Sequence, residues 1–333
     1  MALLGSTFTE EGILGGSGFE ESVARHQATL EQFNHSSSGP EGKVDSTVTF
    51  RSQECNQPLA KFYQDFGELH QSKKNYSKAL HFKTCALNII LKTNRQEENA
   101  FLAHSYHSLG ETQYSLGDFT SALHSAKRAL QVRIKVFGED HASTADSYHL
   151  LEMTQYSLGD FTSALQSAIR ALQVRIKVFG EDHASTADSY YSLGVTQHSL
   201  GDFTSALQSA KRALQVRIKV FGEDHASTAD SYDSLGVTQH SLGDFTSALQ
   251  FAKWALQARI KVFGEDHAKT ADSYHLIGVI QNSLDDFTSA LQSAKRALQV
   301  RIKVFGEDHA STADSYHLLG VIQNSLGDFT SAL

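Results

Sequence analysis

The octapeptide Leu-Gly-Asp-Phe-Thr-Ser-Ala-Leu begins at Leu116, Leu158, Leu200 and Leu242, returning every 42 residues. It recurs as Leu-Asp-Asp-Phe at Leu284 and as Leu-Gly-Asp-Phe at Leu326. A fixed period of this length dictates a stack of like units, because each unit buries its apolar face only against a copy of itself. With Ala187 as position 1 and Thr228 as position 42, units begin at Ala103, Ala145, Ala187, Ala229, Ala271 and Ala313. A diverged unit begins near Ala60, with Tyr63, Phe66, Gly67, Tyr76, Ala79, Ala86 and Leu87 in register.

Within a unit the spacing predicts two helices. Helix A covers positions 1–14, where Tyr190, Leu193, Gly194 and Leu200 form an apolar stripe. Gly201 can take the left-handed conformation that ends it, and Asp202 is a good N-cap for the next helix. Helix B runs from Phe203 to Phe221, with Phe203, Ala206, Leu207, Ala210, Ala213, Leu214 and Ile218 on one face, and Gly222 stops it. The small residues Gly194, Ala206, Ala210 and Ala213 let antiparallel helices approach closely. Tyr190, Leu193, Phe203 and Leu214 are expected to fill the remaining space, so that truncating a buried Leu214 to Ala would cost about 2–5 kcal/mol. Two copies break the pattern. Glu152 takes the place of Gly194, predicting a widened or tilted helix pair, and Asp285 stands where the other copies have a turn glycine.

The expected organisation is a leader, 1–58, largely disordered, followed by an array over 59–333 of about six full hairpins and an incomplete seventh. Within the leader only Phe19–Phe33 reads as a short helix, and 34–42 reads as linker. Both prolines, Pro40 and Pro58, precede the array. The sequence stops at Leu333, five residues into a helix B, which would leave Tyr316, Leu319 and Phe329 without their usual cover and reads as a fragment.

Charge narrows the function class. The net charge is −8, and the leader alone carries eight acids against three bases. A unit such as 187–228 balances four acids with four bases, which excludes an array built to hold nucleic-acid phosphates. Two cysteines, Cys55 and Cys85, are too few for a disulfide framework, and no apolar run reaches the roughly 18 residues of a membrane span. Met1–Gly18 lacks the features of a secretory signal, so the cytoplasm is the expected location.

Tyr190-x-x-Leu193-Gly194, Gly201-x-Phe203-x-x-Ala206 and Ala213-Leu214 resemble the tetratricopeptide signature at its own internal spacings. The 42-residue unit, with Phe-Gly-Glu-Asp-His between hairpins, is similar to the arrays of kinesin light chains and nephrocystin-type proteins. The resemblance covers about residues 60–333. It implies an all-α, right-handed superhelical solenoid of stacked antiparallel helix pairs that binds protein or peptide partners. Those arrays usually place proline after the Asp-His pair and asparagines at positions 5 and 6. Here Ala184 follows His183, and Tyr191-Ser192 or His149-Leu150 stand at the other two places. The coiled coil of kinesin light chains is also missing, which points to a shared module rather than a cargo adaptor.

In such arrays helix A lines the concave groove through positions 2, 5, 9 and 12, which fall on one stripe turned away from the core. Position 2 is His104, then Asp146, Asp188, Asp230, Asp272 and Asp314. Position 5 is His107, His149, Tyr191, Asp233, His275 and His317. Position 9 is Glu111, Met153, Val195, Val237, Val279 and Val321, and position 12 is Tyr114, Tyr156, His198, His240, Asn282 and Asn324. Differences between near-verbatim copies gather on this stripe. That pattern fits a groove tuned to an extended peptide of basic character better than it fits drift where packing sets no constraint. The lysine and asparagine that clamp a heat-shock-protein carboxylate in related arrays are absent from positions 5 and 9, and an acidic groove would repel that ligand.

A second candidate is an outer patch in unit 229, where Phe251 and Trp254 replace a serine and an arginine one helical turn apart. Exposed, they would form a contact patch; packed on the adjacent repeat, they would not. Ile169 likewise replaces a lysine.

No catalytic, cofactor or metal site is expected. His141, His183, His225, His267 and His309 are one repeated loop residue, spaced about 10 Å apart by helix packing and unable to share an ion. The recurring Asp-Ser-Tyr-His lacks the non-local geometry of a triad, and glycine-rich 12–18 is followed by no Gly-Lys-Ser/Thr. The expected function is a protein-interaction scaffold. The alternative is a sensor or lid array of a larger signalling nucleotide hydrolase, whose catalytic domain lies outside this chain.

Overall fold

A computed structural model describes residues 46–93 and 99–327. The expected 19–33 helix and Phe329 lie outside the described residues. Among these, every regular element is a helix: α1 Ser46–Ser72, α2 Tyr76–Thr93, α3 Ala100–Ser115, α4 Phe119–Phe137, α5 Ala142–Ser157, α6 Phe161–Phe179, α7 Ala184–Ser199, α8 Phe203–Phe221, α9 Ala226–Ser241, α10 Phe245–Phe263, α11 Ala268–Ser283, α12 Phe287–Phe305 and α13 Ala310–Ser325. Consecutive helices from α3 onward pack as antiparallel hairpins, and each hairpin packs on the next. Helix α1 begins inside the stretch the sequence assigned to the leader and carries Pro58 in its interior.

Helix B starts and ends where the spacing placed it. Asp202 Oδ1 accepts the Ser205 amide at 3.1 Å, and Asp118, Asp160, Asp244 and Asp286 do the same in their units. The turn before it needs a positive φ, which Gly201 supplies at 81° and Asp285 at 57°.

Helix A begins three residues earlier than expected, because the repeated histidine is its N-cap rather than a loop residue. His183 Nδ1 accepts the Ser185 amide at 3.1 Å, and its ring stacks on Phe179 with centroids 4.5 Å apart. Thr186 Oγ1 then donates to the Gly180 carbonyl at 2.7 Å, tying the new helix to the end of the old one.

The core is built from small side chains. Ala187, Ala206, Ala210 and Ala213 are at most 1% exposed, and a Cβ on Gly194 would lie 3.3 Å from the Ala206 carbonyl. Leu193 is buried as expected, whereas Leu214 is half-buried, so the lower end of that cost applies to it. Val216, absent from the expected apolar face, is fully buried in its stead. Tyr316 is half-exposed on α13, whereas Leu319 keeps its cover.

Glu152 does not open its own hairpin: α5 and α6 pack as closely as the other pairs. Its carboxylate is buried and held by His149 Nδ1 at 3.0 Å and the Thr196 hydroxyl at 3.3 Å. The loosening falls on the approach of α5 to α7, which is weaker than the other contacts between successive A helices from α3 to α13. The next unit makes the room. Gly110, Gly236 and Gly278 each face a leucine from position 6 of the following unit, namely Leu150, Leu276 and Leu318, whereas Glu152 is followed by Ser192. Ser192→Leu should therefore cost about 1–3 kcal/mol by overpacking. In a double-mutant cycle read by urea denaturation, Glu152→Gly should cancel most of that cost. Equal penalties in both backgrounds would disprove the pairing.

The first hairpin replaces the alanine of position 24 with Lys83, which is fully buried. Gly67 accommodates it: a Cβ there would sit 2.6 Å from Lys83 Cγ. The ammonium donates to the Ser108 carbonyl at 3.1 Å, to Thr112 Oγ1 at 2.9 Å and to Gln71 Oε1.

Candidate functional site

Helix A carries the predicted stripe, but its aspartates are already engaged. Asp188 Oδ1 accepts from Arg217 Nη2 at 2.9 Å, and the other guanidinium nitrogen donates to the Ser227 carbonyl at 2.8 Å and to Ser231 Oγ at 2.9 Å. Ser231 belongs to the next unit, so one arginine joins two repeats. Arg175 does the same with Asp146, Arg259 with Asp230, and Arg301 with Asp272, at 3.1, 3.1 and 2.9 Å. These arginine side chains are 6–7% exposed. Arg133, whose unit carries His104 instead of aspartate, keeps only the bonds to Ser143 and Ser147. The negative charge expected of the groove from Asp146 to Asp272 is thus compensated by a buried row of cations.

Position 5 sits against the same arginines. The Tyr191 ring lies 4.5 Å from the Arg217 guanidinium, Asp233 pairs with Arg259 at 3.0 Å, and His275 Nδ1 is 3.4 Å from Arg301. Asp233 is the unit's second carboxylate, and burial pushes its pKa up, with Arg259 pulling down and Asp230 and Asp272 adding to the rise. The same unit answers with a substitution at position 41, where Lys269 replaces serine and pairs with Asp230 at 2.9 Å. The two deviations compensate each other, and their joint appearance in one copy was the signal that could have revealed the pairing.

Position 12 is spent partly on cohesion. His198 and His240 reach Ser241 and Ser283 of the following units at 2.9 Å, Tyr156 reaches Ser199 at 2.9 Å, and each ring leans on the phenylalanine of its own hairpin. Burial lowers the pKa of His107, His198, His240 and His275, so these four are neutral at pH 7. His149 is held by Glu152, and His107 Nε2 lies 3.4 Å from Glu111.

Predicted residues converge most fully between α11 and α13. There His275, Val279 and Asn282 face Asp314, His317 and Val321 across a cavity of about 350 Å³ that Ser283 and Leu318 complete. Asn282 Oδ1 is buried without a hydrogen-bond partner among the described residues, as is His107 Nδ1 further along the stripe. Asn324 lies on α13 but does not line this cavity. The outer pair also meets: Phe251 and Trp254 stand edge to face with centroids 5.4 Å apart, and Trp254 is 40% exposed. Among the described residues, no His, Cys, Asp or Glu cluster is placed to hold a metal ion. In the recurring Asp-Ser-Tyr string, the Asp and Ser are arginine acceptors.

The model of the tetratricopeptide repeat matches residues 101–168, 153–218, 200–261 and 283–333. The chain belongs to the tetratricopeptide repeat family. No match was found among curated protein sequences. Among solved structures, it is similar to BtubC (BKLC) from P. vanneervenii, with TM-score 0.56 and 19% identity over 78% of this chain and 92% of that one. It is also similar to a signal transduction ATPase with numerous domains from Pyrococcus horikoshii, described as having a tetratricopeptide repeat sensor, with TM-score 0.63 and 14% identity over 84% of this chain and 42% of that one. A third neighbour is a Rap protein complexed with Competence and Sporulation Factor, with TM-score 0.54 and 14% identity over 92% and 95% of the two chains. At these identities the likeness is one of fold. No helix among the described residues is long and apolar enough to cross a membrane.

Proposed function

We propose that this tetratricopeptide array is a scaffold that binds an extended segment of a partner protein along its concave face, without catalysis. The observation that carries the reading is the cavity between α11 and α13, which apolar Val279 and Val321 line together with the polar side chains of Asn282, His275 and His317. Apolar walls bearing a few polar side chains suit an extended chain, which presents side chains and backbone groups in alternation. From Asp146 to Asp272 the aspartates hold arginines, so that stretch does not require a basic partner, whereas Asp314 lines the cavity itself. The location that suits such a scaffold is the cytoplasm.

The test is a displayed-peptide selection on the whole chain, followed by affinity measurement with Val279→Asp and Asn282→Ala. Substituting the aspartates would disturb the arginines as well, so these two positions are the ones to change. Selected peptides should lose about tenfold to a hundredfold in affinity on either substitution, the range of a central contact. Unchanged affinity in both variants would remove the groove from the account.

A second reading, a sensor array of a larger signalling nucleotide hydrolase, draws on the similarity to the P. horikoshii protein. A phosphate-binding domain encoded on the same polypeptide would decide for it.

A further inference from the structure

One unit of the array lacks a cation that its neighbours possess. Position 26 is arginine in most copies, and in three of them it pairs with a glutamate of the preceding unit. Arg170 lies 5.8 Å from the centre of the Tyr148 ring and donates to Glu139 of the preceding unit at 2.7 Å. Arg296 pairs with Glu265 at 2.9 Å, and Arg212 pairs with Glu181. The carboxylate of the unit before thus recurs as the partner of this guanidinium in three units, and at Arg170 a tyrosine face joins it.

In unit 229 the carboxylate remains and the guanidinium is gone, with aromatic rings covering the tyrosine in its place. Trp254 stands in the arginine's place, and Glu223, the matching carboxylate, is exposed and makes no ion pair among the described residues. Tyr232 is still there, 5.6 Å from the Trp254 ring centre. Two further changes converge on the spot. Phe251 replaces serine and packs edge to face on Trp254, and Ala258 replaces the buried valine found as Val132, Val174, Val216 and Val300. Residues 251, 254 and 258 share one face of α10 at helical spacing. A recess of about 290 Å³ lies here, lined by Glu223, Asp224, Tyr232, Trp254, Gln257, Ala258 and Lys261, and the shortened side chain of Ala258 adds to its depth. Asp224 is engaged by Lys261 at 2.8 Å, so Glu223 is the open carboxylate. Burial raises the Tyr232 pKa, and the nearby charges of Glu223 and Asp224 raise it further, which places both carboxylates toward that ring.

We propose that the recess bounded by Glu223, Tyr232 and Trp254 receives an arginine side chain from a partner protein, its guanidinium held between the exposed Trp254 ring and the Glu223 carboxylate. Drift alone would have left a partly filled gap. Here an aromatic wall was added, a carboxylate was freed and a floor residue was shortened in the same copy. The site is separate from the concave groove and stands or falls independently of it.

Trp254 is the only tryptophan in the chain and reports on its own site. The whole protein is titrated with an acetylated, amidated Gly-Arg-Gly peptide, with its citrulline counterpart and with guanidinium chloride, reading tryptophan emission. The arginine peptide should give a saturable change, in the millimolar range for a single side chain, and the neutral citrulline peptide should give none. Glu223→Gln should weaken the response about tenfold. Ala258→Val, which restores the residue of the other repeats and is expected to fold, should abolish it. An equal response to citrulline, or no response to arginine, would overturn the proposal, as would a response unaffected by both substitutions. A response to guanidinium ion matching that of the peptide would overturn the assignment to a polypeptide partner.

Discussion

Replacing Arg217 with methionine is expected to lower the stability of the array by about 2–4 kcal/mol, although the residue touches neither end of it. The estimate follows from what the guanidinium leaves behind. Ser231 is fully buried and the Ser227 carbonyl is turned to the same guanidinium, so each loses a charge-assisted partner worth about 1–3 kcal/mol. Asp188 is 52% exposed and can turn to water, so Asp188→Asn should cost less than about 1 kcal/mol. In a solenoid, stability is a sum of unit and interface contributions, and this loss falls on one interface. Urea unfolding should then lose its single transition and separate into two, with the break between α8 and α9. A drop confined to the range of ordinary surface substitutions would show that the arginine is an onlooker.

A second large effect concerns pH. Burial lowers the Lys83 ammonium from its ordinary value of 10.5 to about 8, opposed by Glu111 and Glu68. Between those two values the unfolded chain holds a proton that the folded chain has released, so stability rises with pH across that window. The gain should approach about 3 kcal/mol when pH 10.5 is compared with pH 8. Other lysines and the tyrosines titrate in the same range, so the quantity to measure is the difference between wild type and Lys83→Met. That difference should shift by about 3 kcal/mol in favour of the wild type on raising the pH. A difference that stays level would mean that the ammonium keeps its charge in the fold.

The hairpins were legible because their signals are local and repeated. A glycine that must reverse the chain, an aspartate that caps the helix after it, and alanines at close crossings each act within a few residues. The arginine row escaped notice for the opposite reason. Arg217 bonds residues 10, 14 and 29 positions away, all three on other helices, and nothing in its immediate sequence marks it as buried. The predicted groove positions were found in part. Asn282, His275, Asp314 and His317 do gather around one cavity, whereas Asp188 and His198 are held by hydrogen bonds within the array. Position on a helical stripe tells which way a side chain leaves its helix. It does not tell whether a long side chain from the neighbouring helix has already met it. The histidine caps were missed because imidazole is an uncommon N-cap, and only the stack on Phe179 makes it a rigid one.

The arginine bonds also make each repeat a part with matching ends. Asp188, Arg217 and the Ser227 carbonyl lie inside one unit, and the acceptor taken from the next, Ser231, is carried by every copy from unit 103 onward. A gene duplication that inserts one whole period would therefore leave no buried group stranded at the new seam. The junction after Glu152 is the exception, because it tolerates only a small residue at position 6 of whatever follows. Excising unit 187 would bring Ser234 to that place and be accepted. Excising units 187 and 229 together would bring Leu276 against a buried carboxylate. Recombination can lengthen this array freely, but at that junction the order of its copies has become part of the message.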